Sequence, residues 1–146
     1  MKKFIYNIIV ICLVAFILQF TWEYIQCGIF YTMEDLTGHT RLMASATLGD
    51  VNMSIVLYLL LAYVNRDIDW INSKWNRHDF VIMILYALFL SFYFEISALY
   101  RGRWGYNLSK MPLFPTTPIG LIPVLQLVIL LPLVFYISKL IIRKVR

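Results

Sequence analysis

Charged side chains are scarce: Asp, Glu, Lys and Arg make up 14% of the 146 residues, against 61% hydrophobic ones. A soluble domain this short needs a charged surface to stay dissolved, so the composition argues against one. Cysteine is scarcer still, with two residues. Cys12 lies inside the first apolar run and Cys27 just beyond it, which rules out a disulfide framework. No P-loop, dinucleotide fingerprint, nucleophile elbow or zinc motif occurs, so neither a cofactor nor a metal is expected. Asp35 and His39 stand four apart, but Gly38 intervenes and no second histidine is near, which makes a poor ligand set. The net charge of +5 does not form a continuous basic face. Its lysines and arginines are split by hydrophobic spans, which excludes a nucleic-acid partner.

What the chain has in abundance is long apolar blocks. They predict four spans, at about 4–27, 43–64, 80–99 and 119–142. Each is long enough for roughly 30 Å of hydrocarbon at ~1.5 Å per residue, the first only when extended past Phe20 towards Cys27. The fold expected is an all-α, integral membrane four-helix bundle forming one transmembrane domain over residues 1–146. Lys2 and Lys3 followed by an apolar run resemble a secretion signal. The run is long, however, and Thr21, Trp22, Glu23 and Tyr24 replace a small-x-small cleavage site, so a retained first helix is expected.

The basic residues set the orientation. Lys2, Lys3, Arg66, Lys74, Arg77, Lys139, Arg143, Lys144 and Arg146 fall on one side; Arg41, Arg101, Arg103 and Lys110 fall on the other. The positive-inside rule then places both termini in the cytoplasm. Trp70 and Trp75 would anchor the inner interface, and Trp22, Trp104 and Tyr106 the outer one. Asp79 is expected to N-cap the third span.

With that topology the polar residues gather in the outer half. Glu23 and Gln26 end span one, Asp50 lies about two turns inside span two, Glu95 about one turn from the end of span three, and Gln126 about two turns into span four. The inner half offers almost nothing comparable. An intramembrane carboxylate costs at least ~2.5–3.5 kcal/mol at the bilayer centre, and such a cost implies a partner, a water-filled pocket or a protonated acid. Asp50 is flanked by Thr47 and Ser54 on one helical face, and Gly49 permits close approach of a neighbouring helix. Glu95 has Ser91 one turn back. Pro123 and Pro132 would free the carbonyls of Ile119 and Val128, bending span four beside Gln126. The loop from Tyr100 to Pro118 is too apolar to hang free, and is expected to lie over the outer opening.

Three classes of function fit these residues. The first is an enzyme or binding protein for a lipid or isoprenoid that arrives from the outer leaflet. Asp50, Glu95 and Glu23 would supply acid–base chemistry; Gln26, Arg101, Arg103, Trp104, Tyr106 and Gln126 would bind substrate, the arginines through a phosphate. The second is a structural or assembly subunit in which Asp50 merely specifies packing and Glu95 pairs with Arg101 or Arg103. The third is a small proton-linked transporter, which lacks polar residues for a path through the inner half. Membrane lipid is the one partner implied, and the sequence carries no signal of oligomeric state.

The strings Trp22-Glu23…Gln26, Ala46-Thr47-Leu48-Gly49-Asp50, Glu95…Arg103-Trp104-Gly105-Tyr106…Met111-Pro112 and Gly120-Leu121-Ile122-Pro123…Gln126 resemble a group of small bacterial integral membrane proteins. That resemblance implies a multi-pass protein of the bacterial inner membrane and no particular activity. Gly102-Arg103-Trp104 and Pro123 are also loosely similar to membrane lycopene-cyclase-type carotenoid enzymes. Gln126 stands where that family carries acids, so no catalytic role follows from the likeness.

Overall fold

The computed structural model describes the backbone of residues 2–32 and 36–145 and the side chains of 2–32 and 40–145. It is built from four long helices, α1 (Lys2–Phe30), α2 (Leu36–Val64), α3 (Arg77–Tyr100) and α4 (Leu121–Val145). All four are long and apolar enough to cross a membrane. The expected all-α bundle is thus four-helical, with longer helices than the apolar runs alone suggest. Two short strands, β1 (Tyr31–Thr32) and β2 (Gly105–Tyr106), pair antiparallel at one end, here termed the strap end. A single 3₁₀ turn, Trp70–Asn72, lies at the other. Asp35 and the side chain of His39 lie outside the described residues.

Polarity is distributed in reverse of a soluble bundle. On α1 the buried stripe includes Asn7, Gln19, Glu23 and Gln26 beside Val10, Ile11, Val14 and Ala15. The opposite face exposes Ile5, Ile9, Leu13, Phe16 and Ile17. Both sets recur at three and four residues, the period that keeps side chains on one helical face.

The helices are not packed all round. α1 lies against both α2 and α4, and α3 lies against α4, whereas α2 and α3 barely meet. In cross-section the order is α2, α1, α4, α3, with a gap between the two outermost helices that is bridged where the Tyr86 hydroxyl donates to the Met53 carbonyl at 3.0 Å. The core fills the part of the bundle towards the 3₁₀ turn. There Trp70 stacks on Trp75 with ring centroids 5.3 Å apart and meets Phe135 edge-on at 5.6 Å. Lys139 Nζ and Arg143 Nη2 donate to the carbonyls of Ser73 and Asn72, each at 2.6 Å, and hold the turn under the end of α4.

That end is more polar than the sequence suggests. Asn7 Nδ2 donates to the Tyr58 hydroxyl at 3.2 Å and to Asp69 at 2.9 Å, and Tyr58 in turn donates to the Ile68 carbonyl. The expectation that this half offers almost nothing comparable is therefore corrected. A lone Asn inside an apolar run gives little periodic signal, and its partner lies 62 residues away.

Helix ends explain the remaining differences. α3 begins at Arg77, so Asn76 is its N-cap and Asp79 its third residue; Asp79 is not the N-cap. Its carboxylate accepts the Asn76 backbone N–H at 2.6 Å, one half of a capping box, and also the Asn65 side chain at 2.6 Å. α3 ends where Gly102 takes φ +62°, and the Arg103 N–H returns to the Ala98 carbonyl at 2.9 Å. Glycine adopts that left-handed backbone without strain. Pro123 does not break α4, because it sits in the first turn, where its missing N–H has no intrahelical acceptor. The Ile119 carbonyl is taken by the Phe114 N–H at 2.7 Å. Pro132 alone lies inside the helix.

Asp79 is fully buried, so Asp79→Ala leaves two donors unmatched. It is expected to lower stability by about 2 kcal/mol, while Lys74→Ala on the exposed loop shifts it by less than ~0.5 kcal/mol. Thermal unfolding in detergent checks both, and equal midpoints for the two variants would remove the capping argument.

Candidate functional site

At the strap end the four helices enclose a cavity of about 380 Å³. Its polar wall comes from every helix: Glu23, Gln26 and Cys27 of α1, Asp50 of α2, Ser91 and Glu95 of α3, and Gln126 of α4. Leu42, Ala46, Gly49 and Met53 of α2 face Phe94 of α3 across it, so the cavity sits behind the gap between those helices. Gly49 does not serve a close helix contact as expected. A Cβ added there meets nothing within 4 Å, because the space beside it is the cavity.

Helical spacing explains the gathering. Gln19, Glu23 and Gln26 recur at four and three residues, and Thr47, Asp50 and Ser54 at three and four, each set on one face. All six are buried, with Asp50 7% and Glu23 8% exposed. Gln126 stands on the buried face of α4 and reaches both sets.

The Gln126 carboxamide is the centre of the network. Its Nε2 lies 2.9 Å from Gln19 Oε1, 2.9 Å from Glu23 Oε1 and 3.1 Å from Asp50 Oδ2. A primary amide has two N–H groups, so three acceptors share two hydrogens. Its Oε1 accepts from Gln26 Nε2 at 2.8 Å, and Gln26 Oε1 accepts from Trp22 Nε1 at 3.0 Å. The Cys27 thiol lies 3.6 Å from Glu23 Oε2.

Glu95 closes the other side. It forms no ion pair with Arg101 or Arg103. Trp104 Nε1, at 3.3 Å, and the Tyr106 hydroxyl both donate to its Oε2. The loop can reach Glu95 because β2 is pinned to β1, with Tyr106 opposite Tyr31 and the Asn107 N–H on the Phe30 carbonyl at 2.8 Å. Tyr31 packs edge-on against Trp104 and Tyr106 at 6.3 and 5.5 Å. A Cβ on Gly120 would come within 3.1 Å of Tyr106 Cζ and 2.9 Å of Met111 Sδ. The absence of a side chain there lets the hairpin of residues 112–121 close on the Tyr106 ring. The loop thus lies across the strap end, with Trp104 and Arg103 on the cavity wall.

Of the nine residues singled out from sequence, Asp50, Glu95, Glu23, Gln26, Arg103, Trp104 and Gln126 line the one cavity. Tyr106 touches it only through Glu95. Arg101 is exposed at the end of α3 and is not on the cavity wall. Sequence reading missed Gln19, Cys27 and Tyr31. The first carried a legible signal, since it lies one turn before Glu23 on the same face.

Comparison with family models, with curated proteins and with solved structures finds no match for the chain.

Two predictions follow from this geometry. Gln126→Leu strips partners from Glu23, Asp50, Gln19 and Gln26 together and should cost about 2–4 kcal/mol. Asn52→Leu, at an exposed amide on the same wall, should cost less than ~0.5 kcal/mol; equal losses in detergent unfolding would show that the network is energetically idle. The second concerns the strap. Burial first, then the Glu95 carboxyl, pushes the Tyr31 and Tyr106 phenols above their ordinary value. An unfolded tyrosine ionises near pH ~10, where the folded state still holds both protons. Stability is therefore full below pH ~10 and falls as pH rises beyond it. Tyr31→Phe should flatten that fall, as read from phenolate absorbance and unfolding midpoints; an unchanged slope would refute the assignment.

Proposed function

We propose that the chain is a multi-pass membrane protein, with both termini in the cytoplasm, that holds the polar end of a lipid or isoprenoid in the strap-end cavity. The observation that carries this reading is the carboxyl groups of three helices lining one cavity beside the gap between α2 and α3. A ligand's apolar tail can leave through that gap into surrounding hydrocarbon. The inverted polarity of the bundle supports a lipid environment, since apolar residues face outward and amides and acids inward. The lysine and arginine distribution supports an outer-leaflet position for the strap end, in keeping with a bacterial inner membrane.

Asp50 and Glu95 are the groups placed to exchange a proton with such a ligand, with Glu23 beside them. Arg103 at the rim suits a phosphate. A carrier is less well supported. Any path across would have to pass Trp70, Ile71 and Phe135, which are buried and close-packed at the far end. A purely structural bundle is favoured by one specific observation, the contact of Gln126 with two other helices at once.

Gly49→Leu separates these readings, because Gly49 is on the cavity wall and a Cβ added there meets nothing within 4 Å. Mass spectrometry of the purified protein should find a bound lipid in the wild type and about tenfold less in Gly49→Leu, a difference of ~1.4 kcal/mol, at an unchanged unfolding midpoint. Asp50→Asn and Glu95→Gln should abolish any turnover while leaving folded yield intact. Equal lipid content in wild type and Gly49→Leu would sink the binding reading and leave the structural one.

A further inference from the structure

The hydrogen bonds around the acids are unevenly distributed. Both donors to Glu95 use Oε2, and the donor to Asp50 uses Oδ2. Glu95 Oε1 and Asp50 Oδ1 take no hydrogen bond from the described residues, although both side chains line the cavity and are more than nine-tenths buried. One turn away, two fully buried atoms have no partner: Thr47 Oγ1, which can donate or accept, and Gln19 Nε2, a donor. The two free carboxyl oxygens face the cavity, so a donor brought by a ligand would meet them there.

The cavity wall is short of positive charge. Glu23, Asp50 and Glu95 are met only by neutral donors: an amide, a thiol, an indole and a phenol. Among the described residues, the one basic side chain lining the cavity is Arg103. It is exposed, with its guanidinium over the Trp104 ring at 5.8 Å from the centroid. The site therefore has an acid interior and a cationic rim.

We propose, building on the lipid-binding reading above, that the ligand is an amphiphile with a primary ammonium and a phosphate, as in an aminophospholipid. The ammonium sits among Glu23, Asp50 and Glu95, and the phosphate sits against Arg103. A primary ammonium brings three N–H donors for the free carboxyl oxygens and a countercharge. The phosphate then lies on the outward side, where a guanidinium forms paired hydrogen bonds with its oxygens. A quaternary ammonium has no N–H to give. It would have to rely on aromatic faces, yet Trp104 is already covered by Arg103, and the Tyr31 ring is engaged by Trp104 and Tyr106.

The experiment uses the full chain in detergent micelles carrying equal amounts of phosphatidylethanolamine, its N-methylated forms, phosphatidylcholine and phosphatidylglycerol, with bound lipid identified by native mass spectrometry. Phosphatidylethanolamine should be retained at least about tenfold over phosphatidylcholine and phosphatidylglycerol, a difference of ~1.4 kcal/mol, with retention falling stepwise along the methyl series. That series needs no variant, so a folding defect cannot obscure it. Asp50→Asn and Glu95→Gln should each flatten the series. Arg103→Gln should weaken phosphatidylethanolamine but leave a long-chain primary amine without phosphate unaffected. Equal retention of the ethanolamine and choline lipids, or preference for phosphatidylglycerol, would overturn the ammonium assignment while leaving lipid binding intact. Retention of no lipid at all, in wild type and Gly49→Leu alike, would overturn the lipid-binding reading as well.

Discussion

One side-chain amide governs the strap end of this protein. Gln126 Nε2 meets oxygens from α1 and α2, and its Oε1 accepts from α1 again. A glutamine on α4 therefore fixes where Glu23 and Asp50 stand relative to each other. In a low-dielectric interior such bonds are strong and their loss is costly. The arrangement also keeps the two carboxyl groups within hydrogen-bonding distance of the same nitrogen.

α3 is held by a different device. Its acid, Glu95, is tied by Trp104 and Tyr106 to a loop, and the loop is tied by two strand residues to the end of α1. α3 thus reaches the network around α1 through the strap and through α4, and barely through α2. This explains why a gap between α2 and α3 can persist in a folded bundle. The aromatic and 3₁₀ packing at the far end closes the molecule there, and the strap closes it here. The open side between them is lined by Ala46, Gly49 and Met53, small or flexible residues that leave room.

Much of this was legible in the sequence. Hydrophobic length gave the four helices, and acids inside spans marked Asp50 and Glu95, because an ionisable group in hydrocarbon demands an explanation wherever it occurs. What was not legible were relations between distant segments. The structural alternative paired Glu95 with an arginine six or eight residues on, from charge alone. The chain instead turns at Gly102 and pairs β2 with β1, which sets an indole and a phenol against the carboxyl. The polar set at the far end was missed for the same reason, since Asn7 and Asp69 have meaning only once α1 and the loop after α2 are side by side. Pro123 was misjudged because the helix start was placed two residues early, which turned a first-turn proline into an interior one.

Unmatched polar atoms occur at both ends of the molecule. Near the 3₁₀ turn Asn7 bonds Tyr58 and Asp69, and Asp79 accepts from two directions, yet Trp70 Nε1 and Asn72 Oδ1 of the turn and Ser138 Oγ of α4 are buried without a partner. Incomplete hydrogen bonding therefore does not by itself set the strap end apart. What does is that the acids there line a cavity: one oxygen each of Asp50 and Glu95 takes no hydrogen bond from the described residues, and both side chains stand on its wall. A network that only specifies packing is most stable when its members meet each other, and the Gln126 amide does that for α1, α2 and α4; the space beside it is what the binding proposal rests on.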